Sequence, residues 1–266
     1  MKYRMLLSDI DGTLRPLHRF SVPEENVEAI RAIQAIGVRF AISTGRSRMT
    51  VPAGMLNGIV PDYWICAAGT QVLAKDGEEI AVNRMPRASL EALARFCAEG
   101  DYPLRFVFSD GLYAYAGYEQ YMKWAEEREI EIRLIDGGTQ DRHLTELPIA
   151  ATGIIPPEAA AEFNRLHPEA GLRFPYIVED HCDILWPGQS KAAGLEALLK
   201  HCGLSMGECV SVGDGSNDVE ILSATGRSYC VAGGSAQAMA AAQSVCPAAE
   251  DCGVAAVCRE LWPEAF

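Results

Sequence analysis

The clearest shortage in this chain of 266 residues is one of positive charge. It carries 23 lysines and arginines against 36 aspartates and glutamates, which gives a formal net charge of −13. A surface so negative repels nucleic acid and anionic lipid, so we expect no nucleic-acid partner and no membrane association. Any site for a phosphate group must therefore supply its own local positive charge.

Two further absences narrow the class of protein. No apolar run reaches the length that spans a membrane, and the short apolar stretch before Asp9 runs into acidic residues, unlike a signal peptide. The nine cysteines are odd in number and form no Cys-x-x-Cys pair, which predicts reduced, mostly buried thiols. A zinc site is a conceivable alternative, but the spacing of its ligands is unlike that of zinc fingers: His181, Cys182, His201 and Cys202. We expect a cytoplasmic protein.

Short apolar runs alternate with helical patterns at both ends of the chain. The runs Arg4–Ser8, Val38–Ser43 and Asp62–Ala67 are typical of buried parallel strands. Ser21-Val-Pro-Glu24 has the form of a capping box and predicts the start of the first helix. The same alternation returns between Ser190 and Ala242, which predicts one parallel α/β sheet.

The middle of the chain has a different pattern. Strand pairs linked by short turns, such as the pair joined at Phe108-Ser-Asp-Gly-Leu112, indicate an antiparallel sheet. Helical patterns at Ser89–Ala98 and Pro157–Leu166 accompany them. We therefore predict a core domain, residues 1–84 and 188–266, and an inserted α+β domain, residues 85–187.

The densest group of polar residues is Asp9-Ile-Asp-Gly-Thr13, directly after the first strand. Side chains two residues apart on a strand project to the same side, so Asp9 and Asp11 face one ligand at the carboxyl end of the sheet. Two close carboxylates repel each other, which favours a cation between them or a proton on one. The alternative is an ordinary Asp-Gly turn.

A second acidic loop, Gly213-Asp-Gly-Ser-Asn-Asp218, also follows an apolar strand. An EF-hand loop that started at Asp214 would need glycine and glutamate where Val219 and Thr225 stand. A dinucleotide fingerprint would need glycine in place of Asp218. Two carboxylates on a glycine-rich loop instead suit a Mg²⁺ site.

Two weaker motifs lie between these loops. Thr44-Gly45-Arg46 follows the second strand, and its hydroxyl and amides are suited to hold phosphate oxygens. Lys191 opens a later helix and would supply a compact positive charge. Taken alone, such a triplet is more often a turn, and such a lysine is more often a solvated side chain.

Together, the four segments resemble the Cof-type branch of the haloacid-dehalogenase phosphatases along nearly the full chain. The resemblance implies a Rossmann-like α/β core with a parallel sheet and an inserted α+β cap of the family's type two. It implies that Asp9 is the nucleophile and Asp11 the general acid/base. It also implies Mg²⁺ as the cofactor, with four ligands: Asp9, Asp11 through its backbone carbonyl, Asp214 and Asp218.

The same resemblance assigns the binding of the phosphate group to Ile10, Thr44, Gly45, Lys191 and Asn217. One departure concerns Ala68, which stands where family members commonly have asparagine in an Asn-Gly-Ala sequence. This removes a polar group near the junction of core and cap and bears on the substrate rather than on the core chemistry.

The implied function is hydrolysis of a small phosphorylated metabolite, a sugar phosphate or a phosphorylated cofactor, through an aspartyl-phosphate intermediate. One alternative is a phosphotransferase or phosphomutase, which passes the phosphoryl group to a second alcohol. Another is a catalytically inactive protein that binds a phosphorylated ligand. We expect the inserted cap to select the substrate, and the protein to be a monomer or a homodimer.

Overall fold

The computed structural model describes residues 2–127, 132–178 and 180–266. Contacts divide the chain into two compact units: the chain up to Val82 together with Ser190–Phe266, and Asn83–Gln189. The first unit carries a mostly parallel sheet and the second a separate sheet, which confirms the predicted fold class. The assignment of these units as catalytic core and cap concerns their function and stays a prediction.

The helices and strands follow one another in the order typical of an α/β fold with an insertion. The strands are β1 (Met5–Ser8), β2 (Arg39–Ser43), β3 (Tyr63–Cys66), β4 (Gln71–Ala74), β5 (Glu79–Val82), β6 (Leu104–Val107), β7 (Leu112–Ala116), β8 (Leu134–Asp136), β9 (Ala150–Ile154), β10 (Tyr176–Val178), β11 (His181–Asp183), β12 (Cys209–Gly213), β13 (Arg227–Val231) and β14 (Ser244–Cys246). The α-helices are α1 (Glu24–Ala35), α2 (Arg87–Glu99), α3 (Tyr118–Glu127), α4 (Pro157–Leu166), α5 (Lys191–Cys202), α6 (Val219–Ala224), α7 (Ala236–Ala241) and α8 (Gly253–Leu261).

The first unit is built on an eight-stranded sheet in the order β14-β13-β12-β1-β2-β3-β4-β5. Strands β14 to β3 run parallel, and β4 and β5 add an antiparallel edge. β1 lies inside the sheet, with Met5 opposite both Cys209 of β12 and Arg39 of β2. The carboxyl ends of β1, β2 and β12 therefore lie side by side.

Both faces of this sheet are covered by helices, which explains why β1 is apolar without interruption. Leu6 packs into one core together with residues of α1 and α8, such as Ile30 and Val254. Met5 and Leu7 point to the opposite face and pack against residues of α5, such as Leu195.

The second unit contains a six-stranded sheet in the order β10-β11-β9-β6-β7-β8. Its β6–β7 hairpin is the one expected from the turn sequence, and the Phe108 N–H donates to the Gly111 carbonyl at 2.9 Å. Residues of α2 and α4, among them Leu93 and Phe163, pack against Phe106 and Cys182 of the sheet. The unit thus has a hydrophobic core of its own.

Several predicted elements need correction. The predicted capping box is wrong, because α1 begins after Pro23 and receives no side-chain cap. Proline has no N–H and fixes its own φ, so it starts this helix from a backbone conformation instead. The sequence also predicts a strand at Tyr176–Glu179. It is observed as β10, and its last predicted residue, Glu179, lies outside the described residues. Within the described residues, six α-helices and strands were not predicted: β4, β5, α3, β8, β14 and α8.

Two expectations about composition can be compared with the structure. All nine cysteines are outside disulfides and all but Cys202 are buried, which confirms that they are mostly buried; their reduced state stays a prediction. Within the described residues, no helix is both long enough and apolar enough to cross a membrane. The cytoplasmic location stays a prediction.

Candidate active site

Two acidic loops meet at the carboxyl end of the parallel sheet. Asp9 follows β1 and Asp214 follows β12, and these strands are paired up to Ser8 and Val212. The Asp9 N–H donates to the Val212 carbonyl at 3.1 Å and so extends the pairing by one residue. The two motifs, some 200 positions apart in the chain, therefore form one site.

Lys191 bridges two carboxylates at the centre of this site. Its Nζ donates to Asp9 Oδ1 at 2.7 Å and to Asp218 Oδ1 at 2.6 Å. The lysine is only 1% exposed, so the charge stays buried among its partners. Its position is fixed because it is the first residue of α5, whose N-cap Ser190 Oγ accepts from the Ala193 N–H at 3.1 Å.

Backbone hydrogen bonds hold the second acidic loop in shape. Asp218 Oδ2 accepts from the N–H groups of Asp214 and Gly215 at 3.1 and 3.0 Å. A Cβ atom at Gly213 would lie 2.6 Å from Asp218 Cγ, so this position requires glycine. Thr13 Oγ1 donates to Asp214 Oδ1 at 2.7 Å and thereby links the two loops.

Three carboxylates of this site are close enough to share a cation. Ligand oxygens of Asp9, Asp214 and Asp218 all lie within 4.8 Å of one another. Burial and the neighbouring charge of Asp218 raise the pKa of Asp9 to about 7, although Lys191 acts in the opposite direction. Burial also raises the pKa of Asp214, and the charge of Asp218 adds to this effect. An all-oxygen set of crowded carboxylates fits a hard divalent cation.

Asp11 lies outside this group of three and has partners of another kind. Its Oδ2 accepts from Arg46 Nε at 2.6 Å and its Oδ1 from Arg46 Nη2 at 3.1 Å. Arg15 Nη2 also donates to Oδ1. Burial alone would raise the pKa of Asp11, but the two guanidinium groups hold it below its ordinary value. In this structure Asp11 is therefore an ionised carboxylate in a charged hydrogen-bond network.

The residues predicted to bind phosphate lie around the same end of the sheet. Thr44 follows β2, is 1% exposed, and accepts the Arg46 N–H at 3.1 Å through its Oγ1. A Cβ at Gly45 would lie 3.7 Å from Asn217 Nδ2, which brings the second strand's loop beside the acidic loop. Ile10 is fully buried. The structure thus brings all the predicted site residues together, while their roles stay predictions.

Ala68 occupies a conformation that explains the family's preference for asparagine. Both Ala67 and Ala68 have positive φ values, 50° and 52°. Asparagine and glycine enter this region more readily than alanine does. The departure at Ala68 therefore also places alanine in a backbone conformation that is costly for it.

Sequence reasoning assigned no role to three residues of this site. Thr13 and Arg46 belong to the sequence motifs described above, so their proximity to the site is predictable from the sequence. The position of Arg15 is not predictable, because nothing in the sequence distinguishes it from a surface arginine. In the structure it is nevertheless buried, with 7% of its surface exposed.

Comparison with known proteins agrees with this geometry. Residues 6–257 match the profile of the haloacid dehalogenase-like hydrolases. The HMP-PP phosphatase of Yersinia pestis (strain Pestoides F) is 24% identical over 237 residues, which cover 85% of this chain and 82% of that protein. The HAD subclass IIB sugar phosphatase BT4131 has a TM-score of 0.82 at 20% identity and covers 99% of this chain and 100% of its own. A HAD/COF-like hydrolase from Plasmodium vivax has a TM-score of 0.81 at 20% identity, over 99% and 96%.

A carboxylate-rich site at the carboxyl ends of parallel strands, in a chain that also carries a separate inserted sheet, is typical of α/β enzymes with an inserted domain. Because the family profile spans most of the chain, the protein belongs to the haloacid dehalogenase-like hydrolases. The predicted family and the predicted class of enzyme are thereby confirmed. The two solved structures show that the fold is that of the Cof-type, subclass IIB members.

Proposed function

We propose that this protein is a Mg²⁺-dependent phosphatase that hydrolyses a small phosphate ester through an aspartyl-phosphate on Asp9. The observation that carries the proposal is the buried bridge from Lys191 to Asp9 and Asp218, with Asp214 beside it. An anionic carboxylate attacks an anionic phosphate only where cations offset their repulsion. Lys191 supplies one of these cations from the chain itself.

In the proposed first step, an Asp9 carboxylate oxygen forms a bond to phosphorus while the ester P–O bond breaks. Asp11, once protonated, gives the leaving alcohol its proton, and the resulting carboxylate, which is its state in this structure, acts as the base that activates water in the second step. Phosphate oxygens are held by the Thr44 hydroxyl, Lys191, Asn217 and the backbone at Ile10 and Gly45. Mg²⁺, held by Asp9, Asp214, Asp218 and the Asp11 carbonyl, would neutralise charge on the phosphoryl oxygens when bound.

The substrate class is proposed from the relatives. One is an HMP-PP phosphatase and another a sugar phosphatase, so a phosphorylated cofactor precursor or a sugar phosphate is the first class to examine. Ala68 stands where family members commonly carry asparagine, so no particular substrate follows from the relatives. The oligomeric state, monomer or homodimer, stays a prediction.

Two other functions differ from this one in what they release. A phosphotransferase or phosphomutase would move the phosphoryl group to a second alcohol and release little free phosphate. A binding protein without catalysis would release none. A screen of phosphorylated metabolites with free phosphate as the readout separates hydrolysis from both alternatives.

The nucleophile and the metal are tested together. We expect Asp9→Asn to keep the fold and to lower kcat by on the order of 10⁴ or more, because a nucleophile is removed. The control is Asp251→Asn, which changes an exposed aspartate outside the site and should leave kcat unaltered.

Wild-type activity should vanish in chelator and return with Mg²⁺. A tenth of wild-type activity in Asp9→Asn, or full activity after exhaustive metal removal, would contradict the mechanism.

A further inference from the structure

Two arginines contact the carboxylate of Asp11, and they differ in how they are held. Arg46 comes from the loop after β2, and its side chain is 33% exposed. The Arg15 side chain is 9% exposed and comes from the same loop as Asp11 itself. Buried arginine is rare without a partner for its charge, so the partners of Arg15 indicate what it does.

The two terminal nitrogens of the Arg15 guanidinium bind different partners. Nη2 donates to Asp11 Oδ1, while Nη1 donates to the carbonyls of Pro16 at 3.2 Å, Leu17 at 3.4 Å and Arg19. One end of the planar group is thus fastened to the following loop and the other to Asp11. A lysine, with its single nitrogen, does not offer this fixed fork.

The backbone around Arg15 is equally constrained. The Arg15 N–H donates to the Ile10 carbonyl at 3.0 Å, and the Arg15 carbonyl accepts from the Gly12 N–H at 2.9 Å. Arg15 therefore cannot shift without moving the turn that carries Asp11. The side chain and the backbone together fix the direction in which the Asp11 carboxylate points.

We propose that Arg15 is a positioning residue that orients the Asp11 carboxylate for the second step of the reaction. This inference rests on the proposed function. In that step Asp11 takes a proton from water while the water oxygen bonds to phosphorus. The bond from phosphorus to Asp9 breaks, and its electron pair returns to the Asp9 carboxylate. Arg15 exchanges no proton and does not touch the phosphoryl group.

The two steps can be separated with p-nitrophenyl phosphate, whose leaving group departs as a stable phenolate without a proton from Asp11. We expect Arg15→Gln to form the aspartyl-phosphate at nearly the wild-type rate but to hydrolyse it slowly. The variant should show a burst of about one nitrophenolate per active site, followed by a steady state lowered on the order of 10²-fold. When the reaction of the variant is stopped with acid, the protein should carry covalently bound phosphate. A residue that only fastens the loop would slow both steps alike.

Two further variants make the test decisive. Arg19→Gln removes a positive charge from the same loop, but the Arg19 contact described above uses only its carbonyl, so this control should behave as wild type. Arg15→Lys keeps the positive charge but loses the two terminal nitrogens of the guanidinium, so this variant should also accumulate phosphoenzyme. If Arg15→Gln fails to fold, Arg15→Lys takes its place in the test. The proposal is overturned if Arg15→Lys is indistinguishable from wild type, or if the variants show no burst. An inactive wild-type enzyme would instead refute the proposed function.

Discussion

At the scale of single residues, the charges of the site do not balance within the chain. Lys191 Nζ contacts Asp9 and Asp218, and Asp214 lies in the same group, so three carboxylates share one ammonium. Buried like charges are costly, and they either take up protons or bind a cation. The ammonium group offsets one of the three negative charges, and a divalent cation would neutralise the other two. The excess of carboxylates therefore suits a metal site.

This imbalance predicts a specific pH dependence for the metal-free protein. The pKa of Asp9 is raised from 3.8 to about 7 by burial, so between these values the folded state holds a proton that the unfolded state has lost. The free energy of unfolding should therefore fall as the pH rises from about 4 to about 7, by at most ~1.4 kcal/mol per pH unit for one proton. The shift of Asp214 has the same sign, and that of Asp11 acts only at more acidic pH.

The measurement is urea unfolding in chelator at a series of pH values. Asp9→Asn lacks the titrating group, so its unfolding free energy should vary less over the same range. A wild-type protein whose stability rises steadily from pH 4 to pH 7 would contradict the raised pKa. Added Mg²⁺ competes with the proton, so it should stabilise the wild type more at pH 8 than at pH 6.

At the scale of elements, the start of α5 depends on a close contact with the turn after β3. A Cβ atom at Gly69 would lie 1.8 Å from the Ser190 carbonyl oxygen, and Gly69 has a φ of +94°. Gly194, one turn into α5, likewise leaves no room for a side chain, because a Cβ atom there would lie 2.6 Å from Ile65 Cγ2. Two glycines thus let the helix that carries Lys191 pack onto the sheet.

Gly69→Ala should therefore damage both stability and activity. The methyl group meets backbone rather than a flexible side chain, so α5 must move, and Lys191 with it. We expect a loss of more than ~3 kcal/mol in unfolding free energy and a fall in kcat on the order of 10². Gly77→Ala is a matched control, because Gly77 has a φ of +93° but nothing within 4 Å of its Cβ position. It should cost only about 1–2 kcal/mol. Equal effects of the two changes would show that the backbone conformation alone matters.

The elements also show what could be predicted from the sequence. The sequence patterns predict a helix at Pro157–Leu166 and strands at Leu112–Ala116 and Arg227–Val231. All three have these bounds in the structure, because their apolar periodicity is long or their ends are marked by turns. β8 and β14 have three residues each, too few for a period to show. α8 went unpredicted even though it packs against α1 in the core.

The same contrast holds within the site. Asp9, Thr44 and Asp214 each stand directly after an apolar parallel strand, and such positions converge on one edge of a sheet whatever the distance in sequence. Arg15 has no such mark. Its partners are loop carbonyls and a carboxylate four residues away, and only the turn brings them together.

At the scale of the whole molecule, the unit Asn83–Gln189 has the properties of a separate domain. Its core contains residues of its own sheet and helices. Its two ends lie together, since Trp186 Nε1 donates to the Asn83 carbonyl at 3.1 Å and Asn83 Nδ2 to the Pro187 carbonyl at 3.2 Å. A unit with its own core and adjacent ends is able to fold alone.

We therefore expect the isolated fragment of residues 83–189 to fold. It should give a dispersed NMR spectrum and a cooperative thermal transition, because the contacts of its core do not require the rest of the chain. Phe163→Ala removes a fully buried ring from that core and should cost about 3–5 kcal/mol, enough to abolish the transition in so small a domain. Leu166→Ala, an exposed position on the same helix, should leave the transition nearly unaltered. A fragment that stays disordered would show that its core needs the flanking unit.

The pairing of β1 with β12 also has a consequence for synthesis on the ribosome. Asp9 is made before Lys191 and Asp214, which emerge some 200 residues later, roughly 10–40 s at ordinary rates of elongation. In that interval the inserted unit, complete at Gln189, is able to fold while its host still lacks a central strand. A nascent chain that has not reached β12 therefore carries Asp9 with neither Lys191 nor the acidic loop, and the site is assembled only after β12 has been made.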